Sequence, residues 1–355
     1  MGDLVQLLIG GKLYAGWTSV SIDTGIDHMA AAFDLQLTER EPGTVDRRDI
    51  KAGAACEVRI GGEVVITGYI DQLAPSFDNR SHTISARGRS RAGDLIDCSA
   101  VASPGHWSGR TIDKIAAALV APFGLKVTAR APVGAPFRRF ALQPGETVFE
   151  ALSRMARFRG LLAVSTPAGD IELITPAASP VGYMLAHPGA ILAAKAVHDV
   201  TDRFGRYIVK GQAAGDDSLN GRAAAAPKAE AQDLGVARYR PLIVVAEDQS
   251  TSADLTIRAR WEAQVRAARA QQVQITVQGW RAPDGTLWQS NVLVPVRAPW
   301  LSIDASLLVV GVSFRLDAEG SRTELTLAPP EAYSLEPIPA ASAASTIERK
   351  RRGQS

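Results

Sequence analysis

Apolar and polar residues alternate from Cys56 onward, and that alternation organises the reading of the chain. Cys56, Val58 and Ile60 fall on one side, Glu57 and Arg59 on the other, as in a half-buried strand whose successive side chains point to opposite faces. Gly61-Gly62 follows and tolerates the positive φ of a tight hairpin turn. Residues 64–70 return as the partner strand. Gly68 interrupts it, which predicts a bulge or a close backbone approach. Asp78-Asn79 marks the next turn, and residues 83–87 run out as a third strand. Three antiparallel strands on short links predict the spine of a small barrel or sandwich.

The pattern returns near the other end. Leu308, Val310, Val312, Phe314 and Leu316 alternate, with Gly311 early in the run as Gly68 is in the first. Glu319-Gly320 turns the chain, and Thr323, Leu325 and Leu327 alternate again. This is a weak internal repeat; pattern alone does not separate it from two ordinary hairpins.

Elsewhere, residues 5–9 form a strand, Gly10-Gly11 a second hairpin turn, residues 12–22 its return strand, and Phe33, Leu35 and Leu37 another strand. Residues 1–98 thus read as a first β-barrel domain. The period then changes. Thr111 can cap a helix with Ile112, Ile115, Ala116, Leu119, Val120 and Phe123 on one face, ended by Gly124. Thr147 and Glu150 form a capping box for a second helix, lined by Val148, Leu152 and Met155 and ended by Gly160. Residues 161–165 and 171–174 form a hairpin. Residues 99–190 are therefore an inserted α+β domain.

Residues 191–335 read as a second β-barrel domain. Its strands fall at 206–211, 240–246, 273–277, 292–297, 307–316 and 322–328. A mobile loop is predicted at 213–235. A strapping helix is predicted at 251–272, with Ile257, Trp261, Val265 and Ala268 on one stripe and i,i+4 pairs Arg258–Glu262 and Glu262–Arg266. Residues 336–355, ending in ERKRRGQS, cannot bury a core and read as a disordered basic tail.

Composition narrows the function classes. The 355 residues allow two or three domains. A formal net charge of +2 makes no case for a nucleic-acid binder. Two cysteines, Cys56 and Cys98, are too few for a disulfide scaffold and are expected as reduced, packed thiols. No signal peptide is legible, and no apolar run reaches the ~20 residues that span a bilayer.

The search for chemistry returns little. There is no Walker A loop, HExxH or paired CxxC. GRSRA at 88–92 imitates a nucleophile elbow but ends in Ala. Residues 216–221 begin like a calcium loop, yet Pro227 stands where the bidentate Glu belongs. His28, His82, His106, His187 and His198 share no metal-ligand spacing. Glu146 and Glu150 are explained by helix capping. No catalytic residue, metal or cofactor is assigned.

Two residue sets point to assembly instead. Arg87, Arg89 and Arg91, with Arg80, cluster near Asp94 and Asp97; Arg238 with Arg240, and Arg138 with Arg139, form others. A solvated face and intersubunit ion pairs both fit them. Trp17, Trp107, Trp288 and Trp300 lie in or beside turn-rich segments, where a lone chain would expose part of each ring.

The stretches GWTSVSI (16–22), ITGYID (66–71), GDLIDCSAV (93–101), GETVFEALSRMARFRGLL (145–162), RYRPLIVVAED (238–248) and DGTLWQSN (284–291) occur in that order. Together they resemble the baseplate hub protein of Mu-like contractile-tailed phages, which is similar to the hubs of T-even phages and type VI secretion spikes. The likeness spans about residues 5–335 and departs from the family in the 213–235 loop and the tail. It implies a β-rich α+β fold with two similar β-barrels, arranged as a ring-shaped trimer of pseudo-six-fold symmetry. It implies a structural adaptor in the virion's tail baseplate, made in the host cytoplasm. The implied partners are a trimeric spike, the tail tube or its initiator ring, other baseplate proteins, and a tape-measure or DNA end in the channel. The rival readings are a tail-associated peptidoglycan hydrolase and a host-surface carbohydrate-binding module.

Overall fold

The computed structural model describes residues 3–39, 50–79, 82–137, 139–212, 228–249 and 252–334. The first hairpin joins β1 (Val5–Ile9) to β2 (Lys12–Tyr14) through Gly10 and Gly11, at φ 54° and 82°. The return strand expected over 12–22 is split. The chain turns at Gly16, φ 82°, and resumes as β3 (Ser19–Gly25), which pairs with β4 (Ala32–Glu39). β5 (Ala55–Ile60), β6 (Glu63–Phe77) and β7 (His82–Ser90) are the three antiparallel strands of the opening alternation. Gly61 and Gly62 have φ 59° and 87°, as their turn requires. A Cβ on Gly68 would lie 1.8 Å from the Arg89 carbonyl oxygen, so this glycine marks a close approach. The bulge falls just beyond it, between Ile70 and Gln72.

A helical subdomain follows: α1 (Gly93–Asp97), β8 (His106–Trp107), α2 (Ile112–Val120), β9 (Val127–Ala129), β10 (Phe140–Ala141), α3 (Val148–Arg159), β11 (Leu162–Ser165) and β12 (Ile171–Ile174). Both halves of the predicted capping box form. Thr147 N–H donates to Glu150 at 2.8 Å, and Glu150 N–H donates to the Thr147 hydroxyl at 3.2 Å. Gly124 and Gly160 are left-handed at φ 67° and 64°; Gly160 ends α3, whereas α2 stops at Val120 and Gly124 ends the 3-10 turn Ala121–Phe123 that follows it. Thr111 occupies the N-cap of α2 but makes no side-chain capping bond. β9 pairs parallel to β12, a contact without a local signal. Leu95, Ile112, Ile115, Leu119, Leu152 and Met155 are in one core. Thr67 N–H donates to the Pro167 carbonyl at 2.8 Å and ties this core to β6.

The chain continues through β13 (Leu185–Ala186) and β14 (Ile191–His198). Contacts divide the molecule into one unit of residues 1–195 and 273–327 and another of 196–272 with 328–355. The second unit contains β15 (Arg206–Gln212), β16 (Lys228–Gln232), β17 (Pro241–Gln249) and α4 (Ser252–Arg269). β15 is central, antiparallel to β16 and parallel to β17. β16 lies within the stretch expected as a loop. Its Ala229 and Ala231 pack against Val209, Leu255 and Ala259 while Lys228 and Gln232 face outward. Residues 213–227, with the calcium-like motif, lie outside the described residues, as do residues 336–355. The helical stripe also differs: Ile257 is exposed, and the buried side includes Leu255, Ala259, Val265 and Ala268. Glu262, also buried, accepts from Arg258 at 2.8 Å and Arg266 at 2.9 Å.

β18 (Gln271–Gln278), β19 (Val292–Ala298), β20 (Ile303–Asp317) and β21 (Gly320–Ala328) bring the chain back to the first unit. Two separate closed barrels were expected here, and among the described residues neither closes. One sheet runs in the order β14-β18-β21-β20-β3-β4-β7-β6-β5-β1-β2, with β19 also on β20 and β13 on β19. β20 is 15 residues long, and β19 covers only its first half, residues 303–309. β3 takes the second half, from Gly311 opposite Gly25 to Leu316 opposite Val20. Ile22, Leu35, Ile275, Phe314 and Leu325 are buried on these strands.

Gly68→Ala should lower stability by about 1–3 kcal/mol, because the added methyl group meets backbone. Gly182→Ala, at a site where a Cβ meets nothing within 4 Å, should stay within about 0.5 kcal/mol. Urea midpoints of the two variants check the difference.

Candidate functional site

β7 places Arg87 and Arg89 two residues apart, on one side of the strand. Arg87 donates to Asp34, directly opposite on β4, at 2.7 Å. Arg89 donates to Asp71 at 2.8 Å and grips both oxygens of Asp97 at 3.2 and 2.7 Å. Those hydrogen bonds hold the Asp97 carboxyl below its ordinary range. Arg91 donates to the carbonyls of Phe123 and Gly124 at 3.1 and 3.0 Å, docking strand to helix. All three guanidinium groups are therefore engaged within their own chain. Arg80 lies outside the described residues. Asp94 is exposed in the first turn of α1; the carboxylates that meet Arg89 are Asp71 and Asp97.

In the second unit Arg240 donates to the Arg203 carbonyl at 2.8 Å and to that of Thr201, and covers the Phe204 ring at 4.9 Å. Arg203 grips Asp233 at 2.6 and 2.9 Å, and the Asp233 side chain is only 9% exposed. Arg238 and Tyr239 are exposed beside this network. Arg139 is exposed, and Arg138 lies outside the described residues.

The tryptophans divide. Trp17 and Trp288 are buried at 6% and 4% exposure, which overturns the expectation that part of each ring is exposed. Trp288 packs edge-on against Tyr183 with centroids 5.8 Å apart. Trp107 is half-buried against Phe140. Trp300 alone of the four is open, at 92%, on the 3-10 turn Pro299–Leu301 between β19 and β20. Turn-rich sequence cannot tell a ring folded back onto the sheet from one pointing away. Phe77, 82% exposed at the end of β6, was missed; its signal was the position next to the Asp78-Asn79 turn.

The residues that imitate catalytic motifs have structural partners. The Ser90 hydroxyl is buried and accepts Ala31 N–H at 3.2 Å. Glu146 accepts Gln143 N–H at 2.7 Å and Arg154 at 2.8 and 3.0 Å, and Glu150 completes the capping box. Burial, with help from Asp71 and Glu57, pushes the Cys56 thiol up to about 12. Cys98 is exposed, not packed as expected. Among the described residues no three potential ligands cluster for a metal, and no helix is long and apolar enough to cross a membrane.

This fold is that of phage and prophage tail proteins. The 43 kDa tail protein of prophage MuSo2 from Shewanella oneidensis superposes with a TM-score of 0.84 at 34% identity, over 94% of this chain and 99% of that one. The tail protein from Neisseria meningitidis gives 0.79 at 28%, over 94% and 100%. An Escherichia coli type VI secretion component, described as structurally similar to the T4 tail proteins gp27 and gp5, shares the fold alone. Its TM-score is 0.53 at 11% identity, over 94% and 79%.

Four family profiles cover most of the chain: Mu phage baseplate assembly protein GpP-like, N-terminal (4–90), baseplate hub protein gp44-like, second domain (92–175), tail protein NMB1110-like, third domain (203–261), and Mu phage baseplate assembly protein GpP, fourth domain (251–336). Baseplate hub protein gp44 of Escherichia phage Mu is 37% identical over 342 residues, 94% of this chain and 89% of that protein. The chain belongs to the Mu-type baseplate hub family, and its role is that of a structural component of the tail baseplate.

The Arg203 hydrogen bonds hold the Asp233 carboxyl below its ordinary value of 3.8. A depressed folded-state pKa contributes stability that is present above the unfolded value and lost as pH falls through the folded one. Acid should therefore destabilise the chain below about pH 4, and Asp233→Asn should remove part of that slope. Unfolding midpoints from pH 3 to 7 test this. Equal slopes in both proteins would show that the pair contributes nothing to acid sensitivity.

Proposed function

We propose that this chain forms a ring-shaped homotrimer of pseudo-six-fold symmetry, joining a trimeric spike to the hexameric tail tube or its initiator ring. One observation carries the reading: the sheet contains the same strand set twice. In β5-β6-β7-β4-β3, a 15-residue strand pairs through its first half with one neighbour and then folds back as a hairpin. β19-β20-β21-β18-β14 repeats this order, again around a 15-residue strand. Three chains with two sets each present six similar edges on a three-fold object. That is what a junction between a three-fold and a six-fold partner requires. The barrel halves, open in one chain, are completed by neighbours. The T4-like type VI component supports the reading by fold alone.

The helical subdomain contacts other baseplate proteins. Trp300, Arg238 and Asp94 are the named residues free to meet a partner. The protein is made in the host cytoplasm and turns over no substrate.

Light scattering at low and high salt should give a mass near three times 37.6 kDa, and immobilised protein should retain tube and spike proteins. A monomer at every concentration, or clearing of cell wall in a zymogram that vanishes with Glu146→Gln, would overturn the reading.

A further inference from the structure

The two strand sets are not equally satisfied. The outer edge of β20 is paired along nearly its whole length, by β19 over residues 303–309 and by β3 over 311–316. β6 is paired by β5 over residues 63–69, and Ile70 exchanges backbone bonds with Gly53 and Ala54 at 2.7 and 3.0 Å. Beyond that, among the described residues, no strand lies against the outer edge of 71–77. Side-chain burial follows the difference. Phe314, in the covered half of β20, is 2% exposed, whereas Phe77, in the uncovered half of β6, is 82% exposed; Leu73 is only half-buried.

The strand that supplies the cover has a counterpart too. β3 lies beside β4, which pairs with β7; β14 lies beside β18, which pairs with β21. β3 gives its free edge to β20. β14 ends the sheet, with no further strand beside it among the described residues, and Leu192 on it is 53% exposed. Among the described residues one chain thus holds a strand and an edge that no strand covers, together with a pairing of their counterparts that shows how they fit.

We propose that β14 of one copy adds antiparallel to the start of the 71–77 edge of β6 in the next copy, as β3 adds to β20 within the chain. The proposal rests on the self-association described under the proposed function and names the strands that make it. The contact is head-to-tail, so each copy gives one edge and receives another, and the series ends only when a ring closes. Unpaired backbone at both edges supplies the affinity. Pro75 has no N–H to donate. It lies where a continuing ladder would need donors, so it confines the pairing to the first residues of the segment and blunts the remainder against indiscriminate addition.

The test uses full-length chains carrying Cys98→Ser, with the buried, protonated Cys56 kept. One chain carries Ala74→Cys; its co-produced partner carries Ala193→Cys, Ala194→Cys or Lys195→Cys. Disulfides form only where Cα atoms approach to about 4.4–6.8 Å. At least one combination should give a cross-linked pair on a non-reducing gel, and each chain alone should give none. Leu73→Asp should move the light-scattering mass from ring to monomer while leaving the urea midpoint of the monomer unchanged. A trimer that cross-links in no combination and survives Leu73→Asp would overturn this pairing and leave the ring intact. A chain that is monomeric throughout would overturn both.

Discussion

The pairing of β3 with β20 holds the architecture together. It is a backbone ladder of six residue pairs between the two ends of the chain, and without it the two strand sets would be separate open sheets. Side chains reinforce it from the outer face. Asp23 accepts from Ser313 and from both terminal nitrogens of Arg315, at 3.2 and 2.8 Å. Gly25 permits close approach, since a Cβ there would lie 2.7 Å from the Val310 carbonyl oxygen. Much of the helical subdomain's position then follows, because it is inserted between strands that this ladder keeps in one unit.

Local structure was largely legible in the sequence. The Gly10-Gly11 and Gly61-Gly62 turns, the three strands around them, the capping box at Thr147 and the left-handed stops at Gly124 and Gly160 depend on neighbours within a few residues. Pattern and propensity act over that range. What pattern could not show was pairing over distance. Nothing around Ser21 announces Arg315, and nothing near Val127 announces its parallel partner on β12. The repeat was visible as two similar hairpins, but their union in one sheet was not. β16 was missed because Ala is a weak strand former and its burial depends on a helix that comes later in sequence.

The candidate contact residues were read from type and setting, and setting proved the weaker guide. Arginine favours forked bonds with carboxylates; Arg89, Arg203 and Arg206 make such bonds inside their own chain, and Arg87 and Arg322 pair with carboxylates there too. Most are partly exposed and contribute little each, about 0–1 kcal/mol. Their effect is to fix register between strands and to tie α1 to β7. What these arginines leave unengaged within the chain includes backbone edges and a few open aromatic rings, Trp300 and Phe77 among them.

The long reach of the β3–β20 ladder has a consequence for biosynthesis. Asp23 and Arg315 are 292 positions apart. At an elongation rate of about 5–20 residues per second, roughly 15–60 s separate the emergence of one strand from that of the other. During that interval β3 hangs on β4 with its far side bare, while the helical subdomain, whose contacts are local, can already fold. On a crowded polysome many nascent chains would display the same bare strand side by side. Production of this protein is thus a race between the arrival of its own C-terminal strand and capture by a neighbour's, with slower translation lengthening the exposure.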